Sequence, residues 1–146
     1  ALDASNLIFP LIGFLPADDP RVGSTAKAIS EELGYGPLVR RYLPEETDDG
    51  SDSQDEGAFT FLSFWLIGNL IYMGQLDKAR DYFEQVMGYA NHLGLFGEMV
   101  DPTTKEALGN FPQAYSHIGL IHSVLNLNRA LMNQHTPDAR KLLSTV

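Results

Sequence analysis

Three times along this chain a run that is apolar on nearly every side is followed, after a short break, by an amphipathic run, and long links separate the pairs. This alternation constrains the fold more than any other feature. A helix apolar all round must be buried, and an amphipathic one covers it with its apolar stripe. The first pair is residues 2–14, then a helix opened by Asp19 before Pro20, an N-cap with proline at the first helical position. Val22, Ala26, Ile29 and Leu33 recur along it at helical spacing, and Gly34 stands where it would close. The second pair is residues 57–73 and, after Gly74, a stripe of Leu76, Ala79, Phe83, Val86 and Ala90 that runs toward Gly94. The third is residues 114–132, then a Thr136-Pro137 cap with Ala139, Leu142 and Leu143 starting the partner.

The chain therefore reads as all-α, built of three helical hairpins, with the apolar helices inside and the amphipathic ones outside. The long links, 34–55 and 94–113, then gather at one end, where function tends to sit. In the first, the alternation of Leu38-Val39-Arg40-Arg41-Tyr42 permits a short strand. In the second, Asp101-Pro102-Thr103-Thr104 reads as a turn, a hairpin tip between short extended runs. Three hairpins do not close a ring, so apolar sides stay open at both ends. Either the array is a short solenoid or it belongs to a larger toroid. The chain opens at Ala1 without an initiator Met, straight into an apolar segment. The expectation is a piece of a longer protein that self-associates through its open ends.

Charge and composition narrow the function. A net charge of -9 argues against a nucleic-acid partner and against docking on anionic lipid, and suits a neutral substrate such as a sugar. The apolar run 59–73 falls short of the ~20 residues of a membrane span, and Thr60, Ser63, Gly68 and Asn69 interrupt it. No signal peptide is visible, and a cytoplasmic location is expected. There is no cysteine, and no His pair has metal-ligand spacing, so no metal or other cofactor is expected. The acidic run 48–55 lacks the spaced ligands of a calcium loop and reads as solvated loop.

The second long link carries the chemistry. Read alone, Glu98 between Gly97 and Met99 is either a surface carboxylate on a loop or a base aimed at a cavity. Its wider setting decides more. The ordered set Leu2-Asp3-Ala4-Ser5, Gly13-Phe14-Leu15-Pro16-Ala17-Asp18-Asp19-Pro20-Arg21-Val22, Glu56-Gly57-Ala58-Phe59 with Ser63-Phe64-Trp65-Leu66, Gly74-Gln75-Leu76-Asp77-Lys78-Ala79-Arg80, and Gly109-Asn110-Phe111-Pro112-Gln113-Ala114-Tyr115-Ser116-His117 resembles the C-terminal half of the family 15 glycoside hydrolases. These include glucoamylases, bacterial glucodextranases and one class of trehalases.

The resemblance implies an (α/α)6 toroid, of which residues 1–146 would form the C-terminal part of a single catalytic domain. It implies an inverting, exo-acting α-glucosidase, glucoamylase-like, that releases β-glucose from an α-linked glucose oligosaccharide or disaccharide. A trehalase of the same family is the alternative. Gly97-Glu98-Met99-Val100-Asp101 stands where the family has a Ser-Glu-x-x-Asp segment, so Glu98 takes the place of the general base. Gly97 departs from the usual Ser and Met99 from a polar residue. The family's general acid lies on a loop before residue 1, so the chain alone should be inactive without the missing N-terminal half.

Tyr115 matches a position where the family has an aromatic lining the first sugar subsite; otherwise it is a core aromatic at a helix start. Glu56 opens a buried helix, where the dipole favours an acid, or faces the cavity and binds a substrate hydroxyl. His117 reaches the site from a first helical turn, whereas His122 lies on another face. Trp65 and Phe111 read as packing. Arg40 or Arg41 either contacts substrate or makes surface ion pairs. The rival of another class is a non-catalytic helical-repeat interaction module, suggested by residues 74–80 with Phe83, although the hairpins do not recur at the ~34-residue period such repeats require.

Overall fold

The structure is a computed structural model that describes residues 2–43 and 56–135. The acidic run 48–55 and the Thr136-Pro137 cap with its following helix lie outside the described residues. The first apolar run does not form one long helix. It makes a 3-10 turn, Ala4–Leu7, capped by the Asp3 carboxylate, which accepts from the Ser5 N–H at 2.8 Å. A short helix α1, Ile8–Leu11, follows, and Gly13 turns the chain at φ 73°.

Helix α2, Pro20–Glu32, begins as its sequence predicts. The Asp19 side chain accepts from the Arg21 N–H at 2.9 Å, and Pro20 occupies the first turn. The Arg21 guanidinium closes on the same carboxylate at 2.7 Å. Its side-chain hydrogen bond, and then its backbone N–H, hold the Asp19 carboxyl down at about 2. The helix stops at its C-cap Leu33, and Gly34, which follows it, also starts a strand. β1, Gly34–Tyr35, pairs antiparallel with β2, Leu38–Val39, through a turn opened by Gly36 at φ 63°.

Strand β3, Ala58–Phe59, precedes helix α3, Thr60–Tyr72, so the buried helix starts later than Gly57. The reason is a close approach: a Cβ on Gly57 would lie 2.6 Å from the Val100 carbonyl oxygen. The chain runs extended there to join a sheet. Helix α4, Leu76–Met87, ends well before Gly94. The segment between is turns, tied by the Asn91 side-chain oxygen, which accepts from the Leu93 and Leu95 N–H groups at 2.9 Å each. β4, Met99–Val100, pairs with β3 on one side and with β5, Ala107–Leu108, on the other. The turn expected at residues 101–104 is thus the tip of a real hairpin. Helix α5, Ala114–His135, completes the described chain.

Helix α3 is the centre. Leu62, Phe64, Leu66, Ile67, Leu70 and Ile71 are all buried, and the 3-10 turn, α1, α2, β2, α4 and α5 pack around it. Leu7, Ile29, Leu33, Val39, Leu62 and Leu66 form one apolar cluster, and Phe64, Ile67, Leu76, Val86, Phe96 and Leu127 form another. Each fully buried side chain of this size contributes roughly 1.5–3 kcal/mol. Buried polar groups pin the layers. The Asn69 amide donates to the Leu7 carbonyl at 2.7 Å, and the Ser123 hydroxyl to the Phe64 carbonyl at 3.1 Å. The Ser63 hydroxyl donates to Phe59 and accepts from the Val39 N–H. Gly119 brings α5 against α3, because a Cβ there would sit 3.0 Å from the Phe64 Cβ.

The result is an arc of an incomplete (α/α)6 toroid. Apolar α3 and α5 are the inner helices, and amphipathic α2 and α4 cover them. One face of α5 has little cover among the described residues: Ile118, Ile121 and Leu125 are each about half exposed. Among the described residues no helix is long and apolar enough to cross a membrane.

Candidate active site

Glu98 enters the site already fixed by its backbone. Its N–H donates to the Asn110 carbonyl at 2.9 Å, and its own carbonyl accepts from the Thr60 N–H at 3.0 Å. It therefore sits beside the first residue of α3, one position ahead of β4. The segment before it is anchored just as closely. Phe96 is fully buried, with its ring 5.5 Å from Phe64. Its carbonyl accepts from the Gln113 N–H at 3.0 Å, and the Gly97 carbonyl accepts from the buried Ser116 hydroxyl at 2.9 Å. The link thus lies across the starts of α3 and α5.

The carboxylate itself is oriented by one neighbour. Glu98 Oε2 accepts from the Asn110 backbone N–H at 3.0 Å and from its side-chain Nδ2 at 2.8 Å. Gly109 makes that approach feasible: it has φ 73°, and a Cβ on it would lie 2.7 Å from Glu98 Oε2. Glycine is the residue that adopts this left-handed conformation without strain. Sequence reasoning singled out neither residue, although the Gly109-Asn110 pair before Phe111-Pro112 is a turn signal.

Asp101, the other acid of the segment, builds the hairpin tip. Its Oδ1 accepts from the Thr103 N–H at 2.7 Å and the Thr104 N–H at 3.1 Å. These backbone bonds, helped by the Arg40 charge, hold its carboxyl below the usual range.

Tyr115 stands in the first turn of α5, 44% exposed. Its ring lies 4.7 Å from Phe61 and 5.9 Å from Trp65, and those two are 5.0 Å apart. Tyr115 and Trp65 line a cavity of about 170 Å³ between α1, α3 and α5, together with Leu11, Tyr72 and His122. A larger hollow of about 380 Å³ lies between α2, α3 and α4, by Lys27, Met73 and Lys78, and includes none of the site residues.

His117 is turned to the protein's own backbone. Its Nδ1 lies 2.7 Å from the Gln113 carbonyl, and its Nε2 accepts from the Phe96 N–H at 3.3 Å. This is the neutral tautomer with its proton on Nδ1. Glu56, expected at the opening of the buried helix, lies ahead of β3 instead, and the first turn of α3 holds no acid. Arg40 stacks 4.9 Å over Tyr35, whereas Arg41 faces Asp3 at 3.9 Å and Tyr42 at 5.3 Å, the surface pairing. Two buried polar atoms near the site, Arg40 Nε and Thr60 Oγ1, make no hydrogen bond among the described residues. Among the described residues, no group of three or more His, Asp or Glu side chains is placed to hold a metal ion.

The Glu98 carbonyl thus meets the first residue of α3, while the cavity by Tyr115 and Trp65 is lined by other residues. Residues 1–125 match the family described as Glycosyl hydrolases family 15. The chain belongs to that family. It is 47% identical over 130 residues to a protein named trehalase from Mycolicibacterium smegmatis, covering 89% of this chain and 19% of that one. It is 46% identical over 134 residues to a protein named trehalase from Thermoplasma acidophilum, covering 91% and 22%. A Mycobacterium tuberculosis protein of the same name is 46% identical over 130 residues, covering 89% and 19%. The chain therefore spans about a fifth of the length of the curated relatives it matches. No solved structure matches it. As a member of this family the chain is not a plain helical-repeat interaction module.

Proposed function

We propose that the chain is the C-terminal part of a single family 15 catalytic domain, and that it supplies the general base, Glu98, of an inverting trehalase. The sequence alone favoured a glucoamylase over a trehalase. The relatives at 44–47% identity bear the name trehalase, and that favours the α,α-linked disaccharide of glucose as substrate.

The observation that carries the reading is the placement of the Glu98 carboxylate. Asn110 holds it with two donors, the Glu98 carbonyl accepts from Thr60 at the start of α3, and the next residue of that helix, Phe61, packs on Tyr115. In the reaction, water attacks the anomeric carbon from the face opposite the leaving glucose. As the carbon–oxygen bond to water forms, its proton passes to Glu98. The glycosidic bond breaks, and an acid from the rest of the domain protonates the departing oxygen. The two carboxyl groups of such a pair stand roughly 6.5–9.5 Å apart, which leaves room for the water.

Tyr115, backed by Phe61 and Trp65, offers a ring face to a pyranose, and Glu56 an acceptor for a hydroxyl. His117 serves the site through the loop it ties to α5. The uncovered stripe on α5 is the surface for the remainder of the domain. In the isolated chain it is the surface for self-association, which sedimentation equilibrium measures; a compact monomer at high concentration would count against it.

The decisive experiment is Glu98→Gln in the full-length enzyme. Replacing the base by its isosteric amide should lower kcat on trehalose by a factor of 10² or more, given that general base catalysis contributes about 10²–10⁴-fold, with KM little changed. Proton NMR of the first turnovers of the unmodified enzyme should show one β-glucose for each α-glucose. Retained turnover in Glu98→Gln, or only α-glucose as first product, would remove the reading. Ordinary turnover by the isolated chain would show that the acid is not missing from it.

A further inference from the structure

We infer that Asn110 is the positioning residue of the base: it occupies Oε2 of Glu98 with two donors and so leaves Oε1 as the oxygen that takes the proton from water. This rests on the assignment of Glu98 as base and goes beyond it. Three contacts tie the two residues together. The Glu98 N–H reaches the Asn110 carbonyl at 2.9 Å, and Oε2 receives the Asn110 N–H at 3.0 Å and Nδ2 at 2.8 Å. Among the described residues, Oε1 accepts no hydrogen bond.

Two donors converging on one oxygen fix the plane of the carboxylate as well as its place. A single donor would leave it to rotate and offer either oxygen. The amide orientation follows from the chemistry. Turning Asn110 over would set its carbonyl oxygen against a carboxylate oxygen, with no proton between them. The residue has no core duty that would explain it otherwise. Asn110 is exposed, so truncating its side chain takes away a donor and little packing. Gly109, where any side chain would collide with Oε2, completes the device by letting the Asn110 main chain come close.

The test uses Asn110→Ala, Asn110→Asp, Glu98→Gln and the Asn110→Ala/Glu98→Gln double variant of the full-length enzyme, assayed on trehalose with kcat and KM resolved. Loss of one hydrogen bond to a charged group should lower kcat about 10- to 100-fold with KM within about threefold of the parent. Asparagine and aspartate serve alike in turns, so a merely structural Asn110 would tolerate Asn110→Asp. A donor would not, and Asn110→Asp should be at least as slow as Asn110→Ala, because it sets a second carboxylate against Oε2. The double variant should be no slower than Glu98→Gln alone, since a positioned group that is already gone cannot be mispositioned. Near-parental kcat in Asn110→Asp, additive losses in the double variant, or unfolding of both single variants would each overturn the proposal. The two readings fail separately. An active Glu98→Gln removes the base itself, whereas an inactive Glu98→Gln beside active Asn110 variants removes only the positioning role.

Discussion

Gly109→Ala should separate stability from catalysis in this fold. Gly109 has φ 73°, and an alanine held there carries a strain of roughly 1–2 kcal/mol. The added Cβ would also lie 2.7 Å from Glu98 Oε2, 3.0 Å from Met99 Cε and 3.1 Å from Glu98 Cβ. Ordinary carbon–oxygen contacts are about 3.3 Å or longer, so the carboxylate must retreat by roughly half an ångström. It is the end of a side chain and can do so without moving the sheet. The Glu98 Cβ, bonded to the main chain, cannot retreat in the same way and adds to the stability loss, while the carboxylate's retreat stretches both Asn110 hydrogen bonds, now 3.0 and 2.8 Å. A misplacement of about 1 Å at a reacting group can cost about 10²-fold in rate, so about tenfold is expected here. Gly36→Ala is the control. Gly36 has φ 63° and nothing within 4 Å of a built Cβ, so it carries the strain without the collision. The assay is kcat for glucose release from trehalose by each full-length variant, beside its thermal midpoint. Both midpoints should fall, that of Gly109→Ala at least as far as that of Gly36→Ala, and only Gly109→Ala should lose turnover. Equal turnover in the two variants would refute the reasoning.

Other consequences concern the frame around the site. Asn69→Leu removes the amide that reaches the buried Leu7 carbonyl, and leaving that acceptor unpaired should cost about 1–3 kcal/mol, read by urea unfolding. An unchanged midpoint would show that the carbonyl finds another donor. Gly119→Ala gains about 1 kcal/mol in helix propensity, but its Cβ would meet the buried Phe64 at 3.0 Å. Overpacking of about 1–3 kcal/mol should win, and a raised thermal midpoint would contradict it. Asp19 titrates at about 2 in the folded chain against 3.8 as its ordinary value. A lowered carboxylate contributes stability above its ordinary value and loses it as pH falls through the folded one. That contribution should fade between about pH 4 and 2, and Asp19→Asn should flatten this part of the stability profile.

Much of the frame was legible because it depends on local chemistry. The Asp19-Pro20 cap, the all-round apolarity of α3 and the turn at Asp101 each follow from residues that act within a few positions of themselves. The ordered motifs carried the family and pointed to Glu98. Sequence could not tell that the buried helix starts at Thr60, because Gly57 is held extended by a strand some forty residues further along. Nor could it tell that His117 spends both ring nitrogens on the main chain, or that Glu56 stands ahead of a strand. Least legible was Asn110, twelve positions from the carboxylate it orients. Periodicity and composition determined which surfaces must be buried, since burial follows from the order of apolar residues along a helix. Only the tertiary structure decided which polar atoms meet, because a hydrogen bond depends on tenths of an ångström between segments that the chain order leaves apart.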